Sequence, residues 1–323
     1  MVPISRRSIF AGAGATVALR MMPAYAATGL IPQTADKRVI IDNDFAGDPD
    51  GLAALAHQLL APITRTVLVT SSLLNPNFLP PKARGVPTAA KGAEVANELI
   101  ARLKPPHVPP VFAGEEVTNQ KMPSAAARAI VEETLGPDPL PLWFTCGGPL
   151  TNLAAALRLE PKIASKLRLV WIGGETYPNG GWEYNLGGDP DAARAVIESG
   201  IPIWQVTRAG YRMMEISIAE FETEIKPISP FTEWLYGRFT EIPPFIKIPG
   251  AYPLGDSPLV LLTSLSRESS PSVKVNARQI LPDLKYGAEI PGHMIEVFDT
   301  PDARLTFADF KARLKIHALD ATR

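Results

Sequence analysis

Four carboxylates fall within one short stretch, Asp42-Asn43-Asp44-Phe45-Ala46-Gly47-Asp48-Pro49-Asp50, directly after the apolar run Val39-Ile40-Ile41. An apolar run that ends in acids reads as a buried strand delivering charge to the mouth of a sheet. Crowded carboxylates repel one another unless a proton or a cation sits among them. All-oxygen, hard ligands suit Ca²⁺ or Mg²⁺ better than zinc. The stretch therefore predicts a metal site at the C-terminal end of a parallel strand, where open α/β sheets bind ligands. A solvated turn capping the next helix would use the same residue types. An EF-hand loop starting at Asp42 would have Asp44 and Gly47 in place, but it fails at Ala46 and Ala53, which should be an oxygen ligand and a glutamate. A haloacid-dehalogenase-like phosphatase would follow Asp44 with a hydroxyl or branched pair, and Phe45-Ala46-Gly47 stands there instead.

Three further clusters could carry chemistry. Gly147-Gly148-Pro149-Leu150-Thr151-Asn152 follows an apolar segment and opens a helix, and its glycines allow backbone to approach a ligand closely. Trp182-Glu183-Tyr184-Asn185 follows the glycine pairs Gly173-Gly174 and Gly180-Gly181; an acid, an amide and aromatics in an irregular loop suit sugar hydroxyls. Gly255-Asp256-Ser257-Pro258 precedes an apolar run, and Asp256 reads as a helix N-cap that keeps a carboxylate oxygen for a metal.

These clusters need a scaffold, and strand and helix signals alternate to provide one. Strands are expected at 38–42, 66–70, 111–112, 140–145, 167–172 and 201–206, with helices at 49–60, 89–103, 125–135, 150–159 and 189–199 between them. That alternation implies βαβ units and an α/β fold with a mainly parallel, Rossmann-like open sheet and flanking helices. Beyond residue 210 the pattern loosens to helices at 231–239, 259–265 and 307–318 and a strand at 294–298. No linker divides 27–323, which reads as one domain.

The segment 1–26 reads as a targeting signal. Arg6-Arg7 precede a modest apolar stretch, Ile9 to Leu19, and Ala24-Tyr25-Ala26 offers a small-x-small cleavage site. The stretch is shorter than the ~20 residues a bilayer span needs. The paired arginines resemble a twin-arginine signal, which implies a periplasmic or secreted domain exported folded, with no stable membrane insertion after processing. A net charge of −1 over 323 residues gives no case for nucleic acid or an anionic membrane. With Cys146 as the single cysteine, an internal disulfide or Cys-rich zinc site is excluded.

Taken together and in this order, the clusters resemble the inosine-uridine-preferring nucleoside hydrolase family. The elements are a strand ending Asp42-Asn43-Asp44 with more acids, the Gly148-Pro149-Leu150-Thr151-Asn152 turn, Gly173-Gly174, Glu183-Tyr184-Asn185 before Asp189-Pro190-Asp191-Ala192-Ala193, and a late Asp256. The resemblance runs from about residue 37 to 262. It implies the nucleoside hydrolase fold and a Ca²⁺ at the bottom of a pocket, held by Asp44, by Asp48 and Asp50, by the carbonyl of Gly147 and by Asp256. It implies Asp44 as the base for an attacking water, Glu183 and Asn185 on ribose hydroxyls with Asn179 and Trp182 beside them, and Asp42 supporting the loop from behind. The reaction implied is cleavage of the N-glycosidic bond of a ribonucleoside or related riboside, with a small-molecule partner and an oligomeric state left open.

Two departures bear on this. The family's loop ends in adjacent acids, whereas here Asp48 and Asp50 are split by Pro49, or, in the alternative alignment, Gly51 replaces the last acid. Members often carry a histidine as leaving-group acid where Gly255 stands, and His57, His107, His293 and His317 all lie elsewhere. An exported ribose- or nucleoside-binding protein without catalysis is the alternative these glycines favour; a Mg²⁺ phosphatase on a similar sheet is the other.

Overall fold

The structure, a computed structural model, describes residues 31, 33–241 and 248–320. The proposed targeting signal lies outside the described residues. Contacts divide the chain into Met1–Thr34 and Ala35–Arg323, and every element below belongs to the second unit.

Each expected strand forms. β1 (Lys37–Asn43), β2 (Thr64–Ser71), β3 (Val111–Ala113), β4 (Leu142–Cys146), β5 (Leu167–Ile172) and β6 (Ile203–Val206) run parallel. They belong to an eight-stranded sheet ordered β3-β2-β1-β4-β5-β6-β10-β9. β1 shows why the chain takes this form. Val39 and Ile41 are buried on one face with Leu52, Leu55 and Leu99, while Ile40 is buried on the other with Phe144, Leu153 and Leu169. A strand covered on both faces must be apolar throughout.

The covering helices carry matching stripes. α1 (Asp50–Leu59) follows β1, and α2 (Thr88–Leu103) buries Ala89, Ala93, Ala96, Leu99, Ile100 and Leu103 at helical spacing. α3 (Ala125–Leu135), α4 (Thr151–Leu159), α5 (Tyr184–Gly188) and α6 (Pro190–Glu198) follow. After them come α7 (Arg208–Arg212), α8 (Pro230–Thr240), α9 (Pro258–Ser264) and α10 (Ala303–Asp320).

One sequence expectation needs correction here. The strand expected at 294–298 is the last part of a longer one, β10 (Tyr286–Phe298), which runs parallel to β6 and pairs antiparallel with β9 (Ser272–Ile280). Much of β9 and of the first half of β10 is exposed, Pro291 and Gly292 interrupt the pattern, and the register shifts twice. No apolar run marked this hairpin because little of it is buried on both faces. A small second sheet pairs β7 (Glu215–Ser217) with β8 (Ala251–Pro253).

β1 lies at the point where the sheet changes direction. The chain builds outward from β1 through β2 to β3, then returns to lay β4 on the other side of β1. Such a switch leaves a crevice at the carboxyl ends of the two strands. Those ends are Asp42-Asn43-Asp44 and Cys146-Gly147.

Candidate active site

The acids of the first loop gather in that crevice. Asp42 sits opposite Thr70 in β2 and Cys146 in β4, so all three side chains share a face. Its carboxylate accepts from Thr70 Oγ1 at 2.5 Å and Asn152 Nδ2 at 2.7 Å, and Cys146 Sγ lies 3.5 Å away. Burial pushes Asp42 up to about 6, with those hydrogen bonds holding it back. Asp42 is thus a fully buried brace; Asn152 extends it by accepting from Glu115 N–H at 3.0 Å.

Asp44 follows at the crevice floor, 8% exposed. Burial raises its carboxyl well above the ordinary range, and the charges of Asp256, Asp48 and Asp42 add to the effect. Asp50 opens α1 and is also buried; burial and then Asp256, Asp48 and Asp44 push it up. Asp48 stands at the rim, where Tyr252 donates to it at 2.6 Å. The protein packed around its carboxyl also raises it, and the tyrosine opposes this. Asp256 arrives from a segment more than two hundred residues further along the chain. Burial takes it up to about 7 against the hydrogen bond from Asn43.

The expectation that Asp256 caps the next helix is corrected. Ser257 holds the cap position of α9 without a side-chain bond, and Asp256 instead accepts from Asn43 Nδ2 at 2.8 Å. Its carboxylate turns inward to the crevice because a buried amide meets it there.

The turn after β4 joins these acids. A Cβ built on Gly147 would fall 2.5 Å from Asp256 Oδ2, and one on Gly148 would fall 3.1 Å from the Asp44 nitrogen. Gly147 therefore lets backbone press against the Asp256 carboxylate, and Gly148 lets it press against the backbone of Asp44. The Gly148 carbonyl is pinned by Trp171 Nε1 at 3.1 Å and by Cys146 Sγ at 3.2 Å. The Gly147 carbonyl accepts from Asn185 Nδ2 at 3.2 Å and keeps a second lone pair.

Glu183 and Asn185 lie at the start of α5 rather than in an irregular loop, which corrects the reading of that cluster. The Glu183 carboxylate caps the helix: Asn185 N–H donates to Oε1 at 3.0 Å, and Leu186 and Gly174 N–H donate to Oε2 at 2.9 and 2.8 Å. Burial raises Glu183 in spite of these donors. Asn185 spends its amide protons on Gly147 and on Ile172 at 2.9 Å. The cap was hidden in the sequence because the helix has five residues and no apolar stripe.

Trp182 is half exposed and shares an aromatic group with Tyr184 and Phe78, with centroids 6.0 Å and 5.1 Å from Phe78. Tyr184 feels the charges of Asp44 and Asp48, which join burial in raising its phenol. Asn179 is exposed, and its carbonyl accepts from Tyr286 N–H at 3.1 Å.

Asn43, Tyr211 and Phe78 were not singled out by sequence reasoning, although all three belong to the crevice or its rim. The Tyr211 ring lies on Gly255, and burial together with Asp50, Asp48 and Asp256 raises its phenol. Asn43 carried a signal: an amide between two aspartates at a strand end.

Among the described residues, no group of three or more His, Cys, Asp or Glu side chains stands arranged to hold a metal ion. The chemistry of the donors still suits a hard cation. Buried carboxylates repel one another here, and Asn43 Oδ1 is buried without a hydrogen-bond partner.

Comparison with known proteins bears on the family and the fold. The profile of a family described as "Inosine-uridine preferring nucleoside hydrolase" matches residues 39–242. A pyrimidine-specific ribonucleoside hydrolase, RihB, of Escherichia coli O139:H28 is 35% identical over 98 residues, 29% of this chain and 30% of that one. A Shigella boydii relative matches at the same identity over 39% of its length, so the chain's match spans roughly a third of these curated relatives. Among solved structures, a plant nucleoside hydrolase, PpNRh1, superposes with a TM-score of 0.67 at 19% identity, covering 87% of this chain and 99% of that one. The inosine-uridine preferring nucleoside hydrolase of Bacillus anthracis gives 0.68 at 19%, covering 86% and 99%.

Proposed function

The chain belongs to the inosine-uridine preferring nucleoside hydrolase family, and we propose that it hydrolyses the N-glycosidic bond of a ribonucleoside or a related N-riboside. The observation that carries the reading is the convergence of Asp44 and Asp50 with Asp256 beside the Gly147-Gly148 turn, at the switch between β1 and β4. The pocket's hard oxygen donors favour Ca²⁺, with Asp44, Asp48, Asp50, Asp256 and the Gly147 carbonyl holding it. When bound, the ion would orient the sugar hydroxyls and lower the pKa of the attacking water.

The residues then divide the work. Asp44 takes the proton of the water that attacks the anomeric carbon. The C–N bond breaks through an oxocarbenium-like transition state, and the surrounding carboxylates favour the positive charge that develops. Glu183 and the free oxygen side of Asn185 border the same turn and would receive ribose hydroxyls. Trp182, Tyr184 and Phe78 supply an apolar flank at the mouth. The departing base gains a proton from a donor that Gly255 does not supply. Export by the twin-arginine route remains part of the proposal.

Release of free base from inosine, uridine or p-nitrophenyl riboside, followed with Ca²⁺ and with chelator, tests this. Asp44→Asn is expected to lower kcat by about 10²–10⁴-fold. Tight riboside binding with no product in the presence of Ca²⁺ would replace the hydrolase by a binding protein. Gly51 and Gly255 are the observations behind that second reading.

A further inference from the structure

We propose that Asn43 is a positioning residue that takes the space of an acid at position 51 and thereby sets the charge of the cation site. The inference rests on the cation reading above.

Alternation along β1 turns Asn43 away from Asp42. Asp42 faces Thr70 and Asn152, and Asn43 faces the starts of α1 and α9. Its amide is 1% exposed. A Cβ built on Gly51 would fall 2.6 Å from Asn43 Oδ1 and 2.8 Å from Nδ2, and a Cβ on Gly147 would fall 2.3 Å from Nδ2. These separations are too short for real contacts, so the Asn43 amide and a side chain at 51 exclude each other. Gly51 directly follows Asp50, and its Cβ direction leads into the Asn43 amide, the group that donates to Asp256. A carboxylate entering from position 51 would therefore need the volume that Asn43 fills.

The exchange has an electrostatic consequence. An acid at 51 would add one negative charge to carboxylates that already repel one another. Asn43 instead gives Asp256 a neutral donor at 2.8 Å and presents an unpartnered buried oxygen, Oδ1. The cation-free pocket is less repulsive, and attraction for a divalent ion is correspondingly weaker. Asn43, Gly51 and Gly147 thus form one interlocked unit drawn from β1, α1 and the turn after β4.

Calcium titration calorimetry on chelator-treated protein, with melting temperatures of the cation-free forms, tests this without any turnover. Asn43→Ser is expected to weaken Ca²⁺ binding about tenfold through loss of the Asp256 contact. Gly51→Asp alone gains no affinity, because Asn43 stands in its way. Asn43→Ser combined with Gly51→Asp binds Ca²⁺ about 10- to 100-fold more tightly than wild type and melts lower when cation-free. Should Gly51→Asp fail to fold, rescue of folding by Asn43→Ser supports the exclusion. Equal affinity in Gly51→Asp and the double variant overturns the inference, as does an Asn43→Ser protein unchanged in both affinity and melting. Wild-type protein with no heat of Ca²⁺ binding and no thermal response removes the cation reading itself, and the inference with it.

Discussion

The aromatic ring of Tyr211 lies flat against the α-carbon of Gly255: a Cβ built there would sit 1.9 Å from both Cδ2 and Cε2. Tyr211 comes from α7, just past the end of β6, and Gly255 immediately precedes Asp256. The residue that would project a side chain toward the crevice from 255 has given its place to a ring from another element. Gly255→Ala is expected to destabilise the protein by about 1–3 kcal/mol through overpacking. Tyr211→Ala in the same chain should recover part of that loss, since the two sites are in contact and do not add. Urea unfolding of both single variants and the double variant measures the coupling; strict additivity would show that the contact is not the cause.

Asp256 is expected to make folding stability responsive to Ca²⁺. A ligand that binds the folded state alone stabilises it by about 3 kcal/mol at a hundredfold excess over its dissociation constant. Wild-type protein should therefore melt higher in Ca²⁺ than in chelator. Asp256→Asn should lose most of that difference while retaining the fold, because an amide can still meet Asn43 across the same gap. Scanning calorimetry at matched ionic strength reads the effect, and an undiminished Ca²⁺ response in the variant would place the ion elsewhere.

How much of this was legible in the sequence depends on which forces were local. β1 through β6 announced themselves because strands buried on both faces are apolar runs, as Val39-Ile40-Ile41 is. The acidic loop was visible because its carboxylates are neighbours in the chain. The direction of Asp256 was not visible. Cap position and crevice differ only by where the Asn43 amide lies, and that is a contact across 213 residues. The occupants of the spaces beside Gly51 and Gly255 were hidden for the same reason. A glycine in sequence shows that a side chain is missing, and only packing shows that Asn43 and Tyr211 have filled the gap. The Glu183 cap and the β9–β10 hairpin lacked the periodic burial that makes an element readable.

His57 and Asp309 predict how acid affects the fold. His57 closes α1, is buried against Phe310 and meets Asp309 of α10 at 2.9 Å. Burial lowers the imidazole below its usual value, and the Asp309 contact only partly restores it. The unfolded chain therefore takes up a proton below pH 6.5 that folded His57 refuses, so stability falls as pH drops through that value. Burial alone would raise Asp309, but the hydrogen bond and charge of His57, with Arg313, hold it below the ordinary range. Its contribution is present above the unfolded carboxylate pKa and is lost as pH falls further, through the folded value. His57→Gln, which keeps a donor for Asp309 but removes the imidazole charge, should flatten the first part of this slope and reduce the second without abolishing it, since Arg313 also holds Asp309 down. Denaturant unfolding at a series of pH values from about 4 to 8 follows both; an unchanged slope near pH 6 would show that His57 is not its source.

Glu183 offers a way to separate support from substrate contact. Its carboxylate receives three backbone N–H groups and so orders α5, which in turn places Asn185 against the Gly147 carbonyl. Glu183→Ala removes the cap and should cost about 0.5–2 kcal/mol of stability together with activity, since Asn185 loses its anchor. Glu183→Gln keeps one acceptor oxygen and turns the other into a donor facing an N–H group, so part of the cap survives. If Glu183 also accepts a ribose hydroxyl, Glu183→Gln should lower kcat/KM for a riboside by more than its loss of stability explains. A 2-deoxyriboside or 3-deoxyriboside missing the hydroxyl in question would show a smaller wild-type-to-variant ratio than the parent riboside. Equal ratios for all three sugars would assign Glu183 to the helix cap alone, with Asn185 left as the group that meets the sugar.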